Sequence, residues 1–362
     1  MRTQAAFLLA ALSIGSPAAA DTIYLVDGST VAEVTIQEEG LDVVTYRKGS
    51  DRGDVASDQV LAVEYESKPP LVDRADVALA DELYGEALTG LEEYVAEALA
   101  AGEPPRRHPW APAYAMYRLV EVNDSLGQHE AVVSAANQLI QHAAQSRYLP
   151  LAMLKKAEAL HALEKSEEAG KALDDLGALI EGGQLSERWR HERDLAAVLF
   201  DTGLQGEARR EKLAAIAEQA SSPIVRNRAE VAVGESLLAE KKLAEAEEVF
   251  RTVVDDPRAA DATLASAYTG LGDCLFQRGA DLNAAGDDGS TVLRAALESY
   301  MRVVVVYKQQ LQYVPKAMFY AARVLQQFQD DESRERARKL YLTVMRDFQG
   351  SRWADEARGF LR

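Results

Sequence analysis

Residues Val231 to Pro257 read VAVGESLLAEKKLAEAEEVFRTVVDDP, and this stretch decides the fold. Gly234 and Leu237 precede a polar break at Glu240-Lys241-Lys242; Ala246, Phe250 and Val253 follow it. Spacings of three and four residues put one apolar stripe on each of two helices, with the polar break as the turn between them. A residue as small as Gly234 lets the two helices approach closely, so the stripes face each other as a hairpin. Pro257 marks the end of the second helix.

The same grid recurs throughout the sequence. Small-to-medium residues stand on successive first helices at Leu119, Ala157, Ala196, Gly234, Gly272 and Ala322, and alanines on the second helices at Ala131, Ala169, Ala208, Ala246, Ala296 and Ala337. The first-helix intervals are 38, 39, 38, 38 and 50 residues. Near-equal periods of this length are the signature of stacked helical units that cannot bury their apolar faces alone. The longest interval holds a polar insert, Gly279 to Ser290, predicted to lengthen one turn without disturbing either helix. Val303 to Val306 has strand propensity but follows Ala296 and Tyr300 at helical spacing, which predicts helix and core.

Gly234, Leu237, Ala246, Phe250 and Pro257 resemble the motif of the tetratricopeptide repeat, with Glu230 where that family places a large aromatic residue. The sequence ends with DFQGSRWADEA and five further residues, and this motif is similar to the YPxSxWADEA ending of repeats in periplasmic cell-envelope proteins such as the Tol-Pal coordinating protein and the outer-membrane-assembly lipoprotein. Ser351, Trp353, Ala354, Asp355, Glu356 and Ala357 match; Phe348 replaces the Tyr and Gln349 the Pro. The resemblance implies a mainly α protein, a tetratricopeptide-type α-solenoid of about six helical hairpins over residues 112–362, located in the envelope and working by interaction.

Ahead of the helices the period is two. Ile23 and Leu25, a turn at Asp27-Gly28, Val31, Val34 and Ile36, a turn at Gly40, then Leu41, Val43 and Thr45, a turn at Lys48 to Asp51, and finally Val55 and Val60 to Tyr65 predict four or five short strands. A sheet this small hides its edges best by curling on itself, so residues 21–66 are expected to form a small β-barrel-like domain. Its pattern resembles the Sm-like or SH3-like domains that open some exported bacterial proteins. RNA binding does not carry over, because the unit holds 11 acidic against 3 basic residues and no basic aromatic face. Lys68-Pro69-Pro70 reads as a stiff link, and Val77 to Ala101 as one long amphipathic helix ended by Gly102 and Pro104-Pro105, so that residues 67–111 form a linker with a long helix.

Residues 1–20 read as a secretory signal: Arg2, an apolar run from Ala5 to Ile14, a break at Ser16-Pro17 and the small-residue site Ala18-Ala19-Ala20. The run is too short to span a bilayer, so cleavage before Asp21 and a periplasmic or otherwise exported location are expected, without an integral membrane span. A formal charge of −18 with no long basic cluster excludes nucleic acid as a partner. One cysteine excludes a disulfide framework and a Cys-ligated zinc site. The charge is uneven: residues 298–362 hold 12 basic against 8 acidic residues, while the rest of the protein is acidic.

Little in the sequence suggests catalysis. The five histidines, at 108, 129, 142, 161 and 191, show no metal spacing, and His161 is expected at a surface. Asp281, Asn283, Gly286 and Asp287 look like part of a calcium loop, but Val292 stands where the closing acid belongs, so a solvated turn is expected. Cys274 is expected to be a buried apolar residue, with a bridge to a partner as the alternative. No phosphate loop or nucleophile elbow is present, and no cofactor is expected.

Stacked hairpins present the inner faces of their first helices as a groove for extended or helical peptides. In the family's register, Arg228, Glu235, Leu238, Asp273, Phe276, Gln277, Phe319, Arg323 and Gln326 line it, with Lys316 and Arg323 flanking Phe319. A guanidinium beside an aromatic ring suits a carboxylate, so an acidic or C-terminal peptide is expected there. The function expected is a non-enzymatic envelope scaffold or adaptor. The alternative is a glycan-binding cell-wall accessory or an enzyme of peptidoglycan metabolism, which the sequence favours less, since residues 21–66 offer only Tyr24, Tyr46 and Tyr65 and no Trp as a sugar platform.

Overall fold

The computed structural model of the protein describes residues 20–328 and 330–361. The expected export signal lies, apart from Ala20, outside these residues. Among the described residues five strands come first: β1 (Asp21–Leu25), β2 (Thr30–Glu39), β3 (Val43–Lys48), β4 (Asp51–Ala56) and β5 (Val60–Glu64). They form one antiparallel sheet in the order β4-β3-β2-β1-β5.

The long strand β2 serves two neighbours, pairing through Thr30 to Val34 with β1 and through Thr35 to Glu39 with β3. Glu33, at φ 61°, falls where the β1 register slips, a bulge that bends the strand between its two partners. Ile23, Val34, Ile36, Val44 and Val60 are buried. Val43 is exposed, so the inward residue of β3 is its neighbour Val44. The Asp21 carboxylate accepts N–H bonds from Ile36 and Glu66, both 2.8 Å, and ties the start of the sheet to its end.

Fifteen helices follow among the described residues. The first two are α1 (Pro70–Ala80) and α2 (Tyr84–Ala101), and then come six pairs: α3 (Ala111–Ser125) with α4 (His129–His142), α5 (Leu149–Ala162) with α6 (Ser166–Glu181), α7 (Arg188–Phe200) with α8 (Gly206–Gln219), α9 (Pro223–Ala239) with α10 (Leu243–Val254), α11 (Asp261–Ala285) with α12 (Ser290–Val306), and α13 (Val314–Leu325) with α14 (Asp331–Asp347). α15 (Arg352–Phe360) closes the series. The fold is mainly α, in sequential hairpins after an antiparallel sheet.

The single long helix expected over Val77 to Ala101 is two helices. Leu83 N–H bonds the Ala78 carbonyl and Glu82 takes φ 62°, a Schellman-type close that turns the backbone back on itself. The same close recurs at Gly127, Glu164 and Lys241, bonding Gln128 to Asn123, Lys165 to Leu160 and Lys242 to Leu237. Three of these four turns place a non-glycine residue in the left-handed region, so no glycine announces them. The insert from Gly279 is also not a mere turn: α11 continues through it to Ala285 and ends on Gly286 at φ 88°.

The protein packs as two compact units, one running up to Val122 and including Glu130–Lys156, the other holding Asn123–His129 and all from Ala157 on. The first unit contains a sealed ionic cluster. Arg147 Nε donates to Glu39 Oε2 at 2.5 Å, with the two side chains 5% and 1% exposed. Tyr65 donates to the other Glu39 oxygen, and Arg147 Nη2 donates to the Tyr148 hydroxyl at 2.7 Å. The Tyr65 ring lies flat on Trp110, centroids 3.4 Å apart. Burial alone would lower the Arg147 pKa, but Glu39 and the two tyrosines more than offset it and hold the guanidinium above its ordinary value.

In the second unit each helix from α6 onward packs on the next, and alternate helices α7, α9, α11 and α13 also pack side by side. Large rings lock into missing side chains. Phe250 of α10 fills the space beside Gly234 of α9 and Gly270 of α11, where added Cβ atoms would press into its ring. Tyr300 of α12 lies against Gly272 in the same way. Ala157, Ala196, Ala322, Ala169, Ala246, Ala296 and Ala337 are buried, as the repeat requires. Ala208 departs, being exposed in the first turn of α8, where Leu213 and Ala217 carry the contact. In the run Val303 to Val306 only Val303 is fully buried; Val305 and Val306 are exposed.

Candidate functional site

The first helices of the second unit share a register. One residue after the small position stand Glu158, Ala197, Glu235, Asp273 and Arg323; six residues before it stand Arg228, Ser266 and Lys316 on α9, α11 and α13. The two positions are seven residues apart, two helical turns, and so lie on one face. Across neighbouring helices they meet. Ser266 Oγ donates to Glu235 at 3.3 Å, and Lys316 Nζ donates to Asp273 at 2.6 Å. Arg228, facing Ala197 on α7, instead reaches Glu192 at 2.7 Å and, past α7, Glu158 on α5 at 2.8 Å. One residue bridges helices two steps apart only across an inward-curving face, because adjacent axes are already about 8–10 Å apart. This face is therefore concave.

Glu235 stands on the same face. It is open to solvent, yet so much protein surrounds it that burial raises its carboxyl pKa; Ser266, Lys316 and Arg209 oppose the shift without cancelling it. No cation lies in ion-pair range of it among the described residues.

The expected residues fall into four groups. Arg228 and Asp273 are on the face but satisfied within it: Arg228 by two glutamates, Asp273 by Lys316 and by the Tyr300 hydroxyl at 2.6 Å. Leu238 packs partly into the core, and Gln326, past the end of α13, accepts from Tyr341 at 3.0 Å. Glu235, Phe276, Gln277, Lys316 and Arg323 are accessible. Phe319 does not line the face. It is fully buried among Tyr341, Trp353 and Phe360, because it points into the core that α13 shares with α14 and α15.

Its neighbour Tyr320, which helical spacing alone does not single out, takes that place. Lys316, Tyr320 and Arg323 follow one another at spacings of four and three on the half-open side of α13. Tyr320 meets Phe276 at 5.8 Å and Trp353 at 5.5 Å edge-on, and Lys316 stands 5.9 Å over its ring. Arg323 lies between two rings, 5.7 Å from Phe276 and 4.8 Å from Phe360. Among the described residues its guanidinium has no carboxylate or hydrogen-bond acceptor. The result is an oriented cation bordered by aromatic walls.

Other candidates resolve differently. Cys274 is fully buried, and burial pushes its thiol up to about 12, so it is an inert core residue and not a bridge to a partner. His161 stacks on Phe200 at 4.4 Å in an open cleft of about 460 Å³ that also holds Asp174, Arg193 and Asp194. Asp281 and Asn283 are helical, and Asn283 accepts the Gly289 N–H at 2.9 Å. No group of three or more metal-ligating residues assembles among the described residues. Of the three tyrosines of the sheet, Tyr65 is buried under Trp110. Among the described residues no helix is long and apolar enough to cross a membrane.

No protein-family model matches the sequence, and no curated protein matches it.

Proposed function

We propose that the protein is a non-enzymatic scaffold of the bacterial cell envelope, a tetratricopeptide-type array that acts after export by holding a segment of another protein along the inner face of α9, α11 and α13. The observation that carries this reading is Arg323. Among the described residues it is a charged group without an internal partner, while the equivalent grid positions at Glu158 and Asp273 are neutralised by neighbours.

A guanidinium gripped by Phe276 and Phe360 offers its N–H fork to a carboxylate, and Tyr320 and Trp353 offer apolar surface beside it. The ligand is therefore an acidic segment or a polypeptide C-terminus, in keeping with the positive balance of residues 298–362 in an otherwise acidic protein. Location in the periplasm rests on the signal-like residues 2–20 and on the WADEA ending.

Crosslinking in intact cells followed by mass spectrometry tests the reading, with Arg323→Glu as control. Specific envelope proteins recovered with the wild type and lost with Arg323→Glu are expected. Equal recovery with the variant, or recovery of peptidoglycan fragments alone, would contradict it.

A further inference from the structure

On α11 and on α13 the residue six before the small position bonds the one just after the small position of the preceding first helix. In this scheme Lys316 neutralises Asp273. Position 266, which should neutralise Glu235 in the same way, is a serine, and its hydroxyl supplies one weak bond at 3.3 Å and no charge. Among the described residues a carboxylate is thus left without a cation on α9, where burial raises its pKa, while a guanidinium without an anion stands two first helices away, on α13. Between them Asp273, Lys316 and Tyr300 satisfy one another. The face is an open anion, a closed neutral pair and an open cation.

We infer that this face selects ligands by charge order: a Lys or Arg of the bound segment sits at Glu235 and a carboxylate further along the same segment sits at Arg323, so that the segment runs from α9 toward α13. Two inter-helix steps separate the subsites, roughly 15–20 Å, which about five extended residues span. The cation subsite is new to the docking reading and rests on it. Reversing the order sets like charges against each other at both ends, which is how a surface rejects wrong partners.

The probe is a display library of random peptides with free C-termini, panned on the full-length protein, with individual winners then measured by fluorescence anisotropy. Peptides carrying Lys or Arg about five residues before a terminal or acidic carboxylate should be enriched. Changing that Lys to Glu in a winner should weaken binding to the wild type about tenfold, and Glu235→Lys should reverse the preference. Because the peptide change is made with the wild-type protein, the comparison does not depend on a variant folding. Winners that need Arg323 and a carboxylate but tolerate Lys, Ala or Glu equally at the fifth position overturn the charge order and leave the docking reading standing. Absence of any carboxylate-dependent winner overturns both.

Discussion

The first unit and the second are both organised around arginines, and they treat them in opposite ways. Arg147 is sealed, with its carboxylate partner 1% exposed, the Tyr148 hydroxyl accepting from its guanidinium and the Tyr65 hydroxyl donating to that carboxylate. Arg323 is half-open, sandwiched by rings and, among the described residues, offered no anion. Taking a charge out of water costs several kcal/mol unless the protein replaces the lost solvation, so a sealed pair is a structural fixture whose partners cannot change. A charge kept at the water boundary costs little and remains free to exchange solvent for a ligand. Arg228 lies between these limits, on the inner face but held by Glu158 and Glu192.

The largest effect is expected at the sealed end. Arg147→Ala should lower stability by about 3–5 kcal/mol in chemical denaturation, because Glu39 is left buried without its counter-charge. The double variant Glu39→Leu with Arg147→Met, which removes both charges, should recover a good part of that loss; equal destabilisation by the double variant would mean that the ion pair itself, not the orphaned charge, is what matters. Next in size is the interlock of rings and glycines. Gly270→Ala forces a methyl into the Phe250 ring and should cost about 1–3 kcal/mol. An unchanged midpoint would show that Phe250 has another place to go.

The two inner-face arginines bring the contrast to its sharpest. Arg228→Ala breaks a bridge over three helices, one of whose carboxylates is 5% exposed, and should cost about 1–3 kcal/mol. Arg323→Ala should change stability by no more than about 0.5 kcal/mol while abolishing ligand capture. Similar losses of stability in both would place Arg323 with the structural charges.

The smallest effect is that of pH. Glu235 has its carboxyl pKa raised above 4.5 by burial, so the native state binds the proton more tightly than the unfolded state. Its contribution to stability is fully present below about pH 4.5 and is lost as pH rises through the raised value. Glu235→Gln should therefore melt slightly higher than the wild type near neutral pH and no differently in acid, with solvent screening keeping the gap small. A bound cation would reverse that gap, lowering the pKa of the carboxylate it pairs with.

The hairpin order was legible in the sequence because small residues recur on the first helices, two of them with a large ring on the second helix to fill the space, as with Gly234 and Phe250 and with Gly272 and Tyr300. The strands themselves were legible from alternation and from Asp27-Gly28 and Lys48-Gly49, whose glycines do take positive φ. The break at Glu82 was not, since hydrogen bonding to the Ala78 carbonyl, not residue type, ends that helix. Nor was the role of Phe319. Phe319 and Tyr320 are adjacent, helical spacing alone does not decide which of two neighbouring rings faces the core, and packing against Tyr341 and Trp353 decides it. The Glu39–Arg147 cluster joins residues 108 positions apart in the sequence, and no local pattern marks it.

The central claim is that the inner face of α9, α11 and α13 holds a segment of another protein. A photo-crosslinking amino acid placed in intact cells at Gln277, exposed on that face, tests it directly against the same probe at Val306, which is exposed on a second helix. Discrete protein adducts from position 277 that vanish in the Arg323→Glu background, and none from position 306, are the predicted result. Adducts from position 306 alone, or from position 277 regardless of Arg323, would contradict it.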